Sequence, residues 1–169
     1  MIHLALLLVL GCPQRPEPVP IEPTAAEAPS LTSIQARELA QELASPGPPR
    51  VAYFWALWCT PCIHEVPLLV ELSREHPEVE VLLVGLDGAE HPERGVIPFL
   101  ERVGALTTGP GRIRAVQVED VDALEVELAQ WPRMVPVTLF VRPDGSIARQ
   151  MHGSVSAADL EEALPLVVR

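Results

Sequence analysis

The sequence predicts an α/β fold in which helices flank a central mixed β-sheet. Three stretches carry that prediction. Val51–Ala56 and Val79–Leu86 are near-continuous apolar runs, the pattern of strands buried on both faces. A helix-like segment, Ile63 to Arg74, lies between them, so the two strands should be parallel and joined by a right-handed crossover. Val137–Val141, the turn signal Pro143-Asp144-Gly145 and Ser146–Met151 read as an antiparallel pair.

The elements follow in chain order. Ile2 to Leu10 is apolar and ends at Gly11-Cys12. A bilayer span takes about 20 apolar residues, so this run has the length of a signal-peptide core instead. Pro13 to Pro29 holds six prolines among Glu, Ala and Thr; such a composition cannot build a core and favours an extended tether. The expected division is therefore a signal peptide over 1–11, a proline-rich tether over 12–30 and one folded domain over 31–169. Thr32 and Gln35 have capping-box spacing with Leu31 before them, which predicts a helix from there to about Ala44. Ser45-Pro46-Gly47-Pro48-Pro49 stops it. Pro67 falls inside the helix that leaves the first buried strand and should bend it. Pro92–Val103 places Val96, Phe99, Leu100 and Val103 on one helical face. Gly104–Arg112 reads as a loop, Ile113–Val118 as an extra strand, and Val121–Gln130 as an amphipathic helix with Asp120 as its N-cap. Ser156 and Asp159 open a last helix, which Pro165 shortens.

The 169 residues suffice for one domain of ordinary size plus extras, and a hydrophobic fraction of 48% is that of a globular protein. The net charge of −11 argues against a nucleic-acid partner, which would need clustered cations. All twelve basic residues are arginine, and this bias carries no functional reading.

The chemistry concentrates in Trp58-Cys59-Thr60-Pro61-Cys62, between the first buried strand and its helix. A Cys-x-x-Cys pair at such a junction has the minimal parts of a reversible dithiol/disulfide centre. One helical turn puts Cys62 within reach of Cys59. Unpaired N–H groups and the helix dipole favour a thiolate at Cys59, and Pro61 suits a first turn that needs no amide hydrogen. Cys59 is thus the expected exposed nucleophile and Cys62 the buried, resolving thiol. Two blander readings compete. Half a zinc site would need two further ligands, and neither a second Cys pair nor a closely spaced His pair exists. A structural disulfide would close a very short loop and add little stability. Other groups near the pair are His64, which as an imidazolium would favour thiolate, and Trp55 and Trp58, which would pack and shape the surface around Cys59. Met134 and His152 could join the cysteines in a copper(I) site, since soft sulfur ligands suit that ion. His76 and His91 read as solvated surface.

From strand, Trp-Cys-x-Pro-Cys and helix, through a parallel strand and Val135-Pro136-Val137-Thr138 opening a hairpin, to a terminal helix, residues 50 to 168 resemble the thioredoxin family. The resemblance implies a thioredoxin-like three-layer fold. It also implies a cis bond before Pro136, facing the cysteines and serving to dock substrate and exclude metal, with Val135 and Trp58 in the substrate-binding surface. The continuation Cys62-Ile63-His64-Glu65-Val66-Pro67 resembles the Cys-x-x-Glu-x-Pro of the membrane-tethered TlpA/ResA/DsbE-like branch, and residues 105 to 131 resemble that branch's insertion. Its members commonly act outside the cytoplasm as thiol–disulfide oxidoreductases, several in cytochrome c maturation. Two departures stand out. Tyr53 occupies the place of the buried Asp of ordinary thioredoxins, and residues 31 to 45 look helical where the branch has an N-terminal hairpin. Glu65, one turn beyond Cys62, should share its sheet-facing flank, and a carboxyl there could accept or return the proton of exchange.

Val9-Leu10-Gly11-Cys12 resembles a bacterial lipobox, implying lipidation at Cys12, although no Lys or Arg precedes the apolar run and only His3 is available. These features predict an enzyme of the bacterial cell envelope. It would be lipid-anchored, periplasm-facing and monomeric, without a cofactor or bound metal. Its partners would be protein thiols and disulfides, with a membrane electron donor behind them. The alternatives are a copper or heme-pathway metallochaperone using the same cysteines, and an inert tethered adaptor.

Overall fold

A computed structural model describes residues 30–88, 92–106, 111–129 and 131–168. The expected signal peptide, lipidation site Cys12 and nearly all of the tether lie outside these residues, as does His91. The described chain runs β1 (Leu31–Ile34), α1 (Ala36–Ala44), β2 (Arg50–Trp55), α2 (Thr60–Glu75), β3 (Glu80–Gly85), α3 (Val96–Arg102), β4 (Arg112–Val118), α4 (Leu124–Glu127), β5 (Val137–Val141), β6 (Ile147–His152), α5 (Ala157–Ala163) and α6 (Pro165–Val168).

The six strands form one mixed sheet in the order β1-β4-β3-β2-β5-β6. The first four are mutually parallel, β5 runs antiparallel to β2, and β6 runs antiparallel to β5. Period-2 alternation divides the apolar side chains of the sheet between two cores. Val51, Tyr53, Trp55, Val81, Leu83 and Phe140 face α2, α3, α5 and α6. Ala52, Phe54, Leu82, Val84, Leu139 and Val141 face α1 and α4. Every residue of β2 is buried, which is why its sequence shows no polar alternation. On α1, Ala36, Leu39 and Leu43 recur at helical spacing and are the buried positions. Each such leucine contributes about 1.5–3 kcal/mol by leaving water.

The expected helix start at Thr32 is corrected. Leu31–Ile34 is a parallel edge strand on β4, with Leu31 opposite Ala115 and Ile34 opposite Val118. Helix α1 begins after Gln35, whose N–H donates to Glu38 at 3.3 Å. A second, overlapping capping signal, Gln35 to Glu38, prevailed over Thr32 to Gln35 because the open edge of β4 supplies partners for an extended segment. Asp120 does not cap the segment that follows it. Its carboxylate accepts from the Ala36 N–H at 2.6 Å and so caps α1 from across the fold. The helix expected over 121–130 is a short 3₁₀ turn, Val121–Ala123, and one α-helical turn.

Candidate redox-active site

β2 delivers the chain to the C-terminal edge of the parallel strands, and α2 carries it away. Cys59 is the N-cap of α2, with Pro61 in the first turn. Its N–H donates to the Ala56 carbonyl at 3.1 Å, and its own carbonyl accepts from Ile63 at 3.2 Å. Cys59 and Cys62 form a disulfide with Cα atoms 5.3 Å apart. The Cys62 N–H points at Cys59 Sγ, 3.3 Å away. One of the four orphan donors of the helix start therefore faces the sulfur that would carry the negative charge after reduction, and this is the arrangement that favours thiolate. The expected exposure of Cys59 is corrected in degree. In the disulfide form Cys59 retains 5% of its surface and Cys62 none, so both are buried and only their order is as expected.

Three elements meet around the pair. Trp58 is 71% exposed beside it, whereas Trp55 is buried and stacks obliquely against Phe99 with centroids 5.3 Å apart. Only Trp58 is therefore placed to meet a partner. The Val135–Pro136 bond is cis, as the resemblance implied. Pro136 is buried, and Val135 packs against the apolar cluster that contains both cysteines. The ladder of β5 starts only at Val137. Trp58, Met134 and Val135 line an open cleft of about 200 Å³, together with Trp131, Asp122 and Glu125. Arg133 on its rim pairs with Glu125 at 2.6 Å. Most of the cleft's lining comes from Val121 to Glu125 and Trp131 to Val135, with Trp58 and Leu86 closing it from the cysteine side.

Three residues beyond Cys62, Glu65 is 5% exposed, on the sheet-facing flank of α2 as expected. Its carboxylate accepts a hydrogen bond from the Tyr53 hydroxyl at 2.7 Å. Burial, and then the adjacent carboxyl, push the Tyr53 phenol far above its ordinary range, so it stays protonated. Tyr53 thus presents a buried hydroxyl donor to the carboxylate of α2. His64 and His152 are exposed.

One positioning residue escaped the sequence reading. Asp87, just past β3, accepts the Leu57 N–H on both carboxylate oxygens, at 2.8 and 3.0 Å. It ties down the loop that carries Trp58 and Cys59. Partial burial raises its pKa, and the hydrogen bond from Leu57 opposes that shift. The signal available in the sequence is an acid directly after a buried strand. Among the described residues, Glu75, His76 and Glu161 form a further surface cluster at the far end of α2, away from the cysteines in sequence and burial.

No family model matches the chain. It is 31% identical over 110 residues to the thiol-disulfide oxidoreductase ResA of Oceanobacillus iheyensis, covering 64% of this chain and 51% of that one. The chain spans about half the length of the curated relatives it matches. Among solved structures, the Mycobacterium tuberculosis dsbF structure superposes with a TM-score of 0.53 at 25% identity, covering 71% of this chain and 81% of that one. The exposed lipoprotein thioredoxin Etrx1 of Streptococcus pneumoniae gives 0.54 at 18% identity, with coverages of 75% and 88%. The chain has the thioredoxin-like fold, and it is similar to thiol–disulfide oxidoreductases of the ResA and DsbE/DsbF kind.

Proposed function

We propose that this thioredoxin-fold chain is a thiol–disulfide oxidoreductase that exchanges a Cys59–Cys62 dithiol/disulfide with protein substrates outside the cytoplasm. The observation that carries the reading is the pair itself, closed across the first turn of α2 with a helix N–H aimed at Cys59 Sγ. In the reductive direction, Cys59 thiolate attacks one sulfur of a substrate disulfide, and the other leaves as a thiolate. Cys62 then loses its proton and attacks Cys59 Sγ. The Cys59–substrate bond breaks, its electron pair leaves with the substrate sulfur, and the enzyme is left as the disulfide. Glu65 serves as the group that takes and returns the proton of Cys62. Trp58, Val135 and Pro136 form the docking surface, where the backbone at Val135, ahead of the β5 ladder, can pair with an extended substrate segment. A membrane electron donor would re-reduce the pair.

Tethering through a lipid on Cys12 at the bacterial envelope, facing the periplasm, fits Val9-Leu10-Gly11-Cys12 and the proline-rich stretch after it. Reductive support of cytochrome c maturation is the physiological role that the resemblance to this branch suggests. The test is dithiothreitol-dependent insulin reduction by the full chain, run beside a copper(I) titration of the reduced protein. The expected result is turnover that Cys59→Ser abolishes, with no stoichiometric copper(I) complex. Tight copper(I) binding without turnover would put the metallochaperone reading in its place.

A further inference from the structure

We infer that Tyr53 is the positioning residue of this site. Its hydroxyl holds the Glu65 carboxyl in place three residues beyond Cys62 and sets how readily that carboxyl takes up the proton of Cys62. The inference rests on the redox reading above and goes beyond it, because it assigns a role to a residue that the Cys-x-x-Cys chemistry does not itself require.

Four observations converge. Tyr53 is fully buried and Glu65 is 5% exposed, so their 2.7 Å hydrogen bond is made with little competition from water. Tyr53 lies on the same sheet face as the helix bearing the cysteines, in the cluster that contains Cys59 and Cys62. Its phenol stays protonated, so the hydroxyl is always available as a donor. Finally, β2 is paired on both sides, with Tyr53 opposite Leu83 of β3 and Thr138 of β5, which fixes the face that carries the hydroxyl.

The consequence follows from hydrogen-bond chemistry. A donor stabilises a carboxylate more than it stabilises the neutral acid. The Tyr53 hydroxyl therefore gives the Glu65 carboxylate a charge-assisted hydrogen bond that its neutral acid would make less well. When Cys62 attacks Cys59 Sγ, its proton passes to Glu65 and then to the departing substrate thiolate. Protons and electrons balance: one proton moves from Cys62 to the leaving sulfur, and the substrate disulfide is the oxidant.

Among the described residues, Tyr53 is the side chain shown donating to Glu65. On α2 itself, Cys62 lies one turn before it and His64 is exposed. On β2 the other ionisable residue, Arg50, is held at the far end by Glu80 at 2.7 Å. The neighbours of Tyr53 across the sheet are Leu83 and Thr138, with Met151 beyond, and none of them titrates. From α5, Asp159 is engaged with Ser156, Glu161 with His76, and Glu162 with Arg149.

The test uses the reduced full chain carrying Cys12→Ala, so that Cys59 and Cys62 are its only thiols, and the aromatic disulfide 5,5′-dithiobis(2-nitrobenzoate). The first thionitrobenzoate released reports Cys59, and the second reports the intramolecular attack by Cys62. Tyr53→Phe should move the acid limb of the second step upward by about one pH unit. In a Glu65→Gln background, Tyr53→Phe should change nothing. A Tyr53→Phe profile that superimposes on the parent overturns the inference, as does an equal shift in the Glu65→Gln background. A second measurement needs no stable Tyr53 variant. Tyr53 is the only tyrosine of the chain, so 3-fluorotyrosine labels this position alone. Its ¹⁹F signal should titrate with the acid limb in the parent and lose that titration in Glu65→Gln; a flat signal in the parent overturns the inference. Absence of any second release in the parent would sink the redox reading, and this role with it, while the ¹⁹F titration would show whether the hydrogen-bonded pair itself is present.

Discussion

Asp87 offers the sharpest test of how the loop before the cysteines is held. Its two oxygens receive one backbone N–H, that of Leu57, at 2.8 and 3.0 Å. Asp87→Ala leaves that amide without its acceptor. An orphaned amide costs about 1–3 kcal/mol, and the half-buried position of Asp87 puts the expected loss near 1 kcal/mol. With a urea m-value of about 1–3 kcal/mol/M, the midpoint should fall by roughly 0.5 M. Asp87→Asn keeps an acceptor oxygen and removes the charge, so it should retain the loop. The pH dependence separates the two effects. Burial raises the folded-state pKa of Asp87 above its unfolded value. The native state therefore binds this proton more tightly than the unfolded state does. Asp87 is tolerated best when protonated, below its unfolded pKa near 3.8, and its ionisation costs stability as pH rises through the folded value. The stability difference between Asp87→Asn and the parent should accordingly grow in favour of Asn from pH 4 to pH 7, as read by urea midpoints. Thionitrobenzoate release should slow in Asp87→Ala and stay close to the parent in Asp87→Asn. If Asp87→Ala keeps both the parent midpoint and the parent rate, the Leu57 amide is not held by this carboxylate and the reasoning fails.

Other expectations follow from the same structure. Alkylation of the reduced protein near neutral pH should label Cys59 before Cys62, because only Cys59 combines residual exposure with the donated N–H; mass mapping of the first adduct decides it, and first labelling of Cys62 reverses the roles. Cys12→Ala should move the protein from the membrane to the soluble fraction in its own host without loss of insulin reduction, and a parent that is already soluble and unacylated refutes the anchor. Gly145 has φ +84°, and a Cβ there would lie 2.1 Å from the Ala44 carbonyl oxygen. Gly145→Ala should therefore lower stability by about 2 kcal/mol or more by urea titration, and an unchanged midpoint would contradict the placement of this turn.

Much of the sheet was legible because burial writes itself into composition. Every residue of β2 is buried, as are five of the six in β3, so their apolar runs could be read directly as central strands. The hairpin was legible because Pro143-Asp144-Gly145 states its turn chemistry locally. Strand β1 was not legible, because nothing within Leu31–Ile34 distinguishes an edge strand from a helix entrance. The deciding partner is β4, more than 75 residues away. The segment 121–130 failed for a related reason. Its periodic leucines, Leu124 and Leu128, do face the core, but Asp120 is drawn off to cap α1 and only a short helical piece forms.

The site divides along the same line between local and distant information. Cys59, Pro61, Cys62 and Glu65 lie within two turns of one helix, so their spacing alone predicted a closed pair and a buried carboxyl on one flank. The groups around them come from elsewhere: Tyr53 from the strand before, Asp87 from the end of the next parallel strand, and Val135 and Pro136 from the chain just ahead of β5. Each of these reaches the site only because β2 is paired with β3 on one side and β5 on the other. A substitution in β2 that kept its apolar character but shifted its register by one residue would turn Tyr53 to the opposite face. The cysteine motif would remain intact while Glu65 lost its donor. The Cys-x-x-Cys sequence therefore specifies which sulfurs pair, while the register of the sheet specifies which side chain reaches the Glu65 carboxylate.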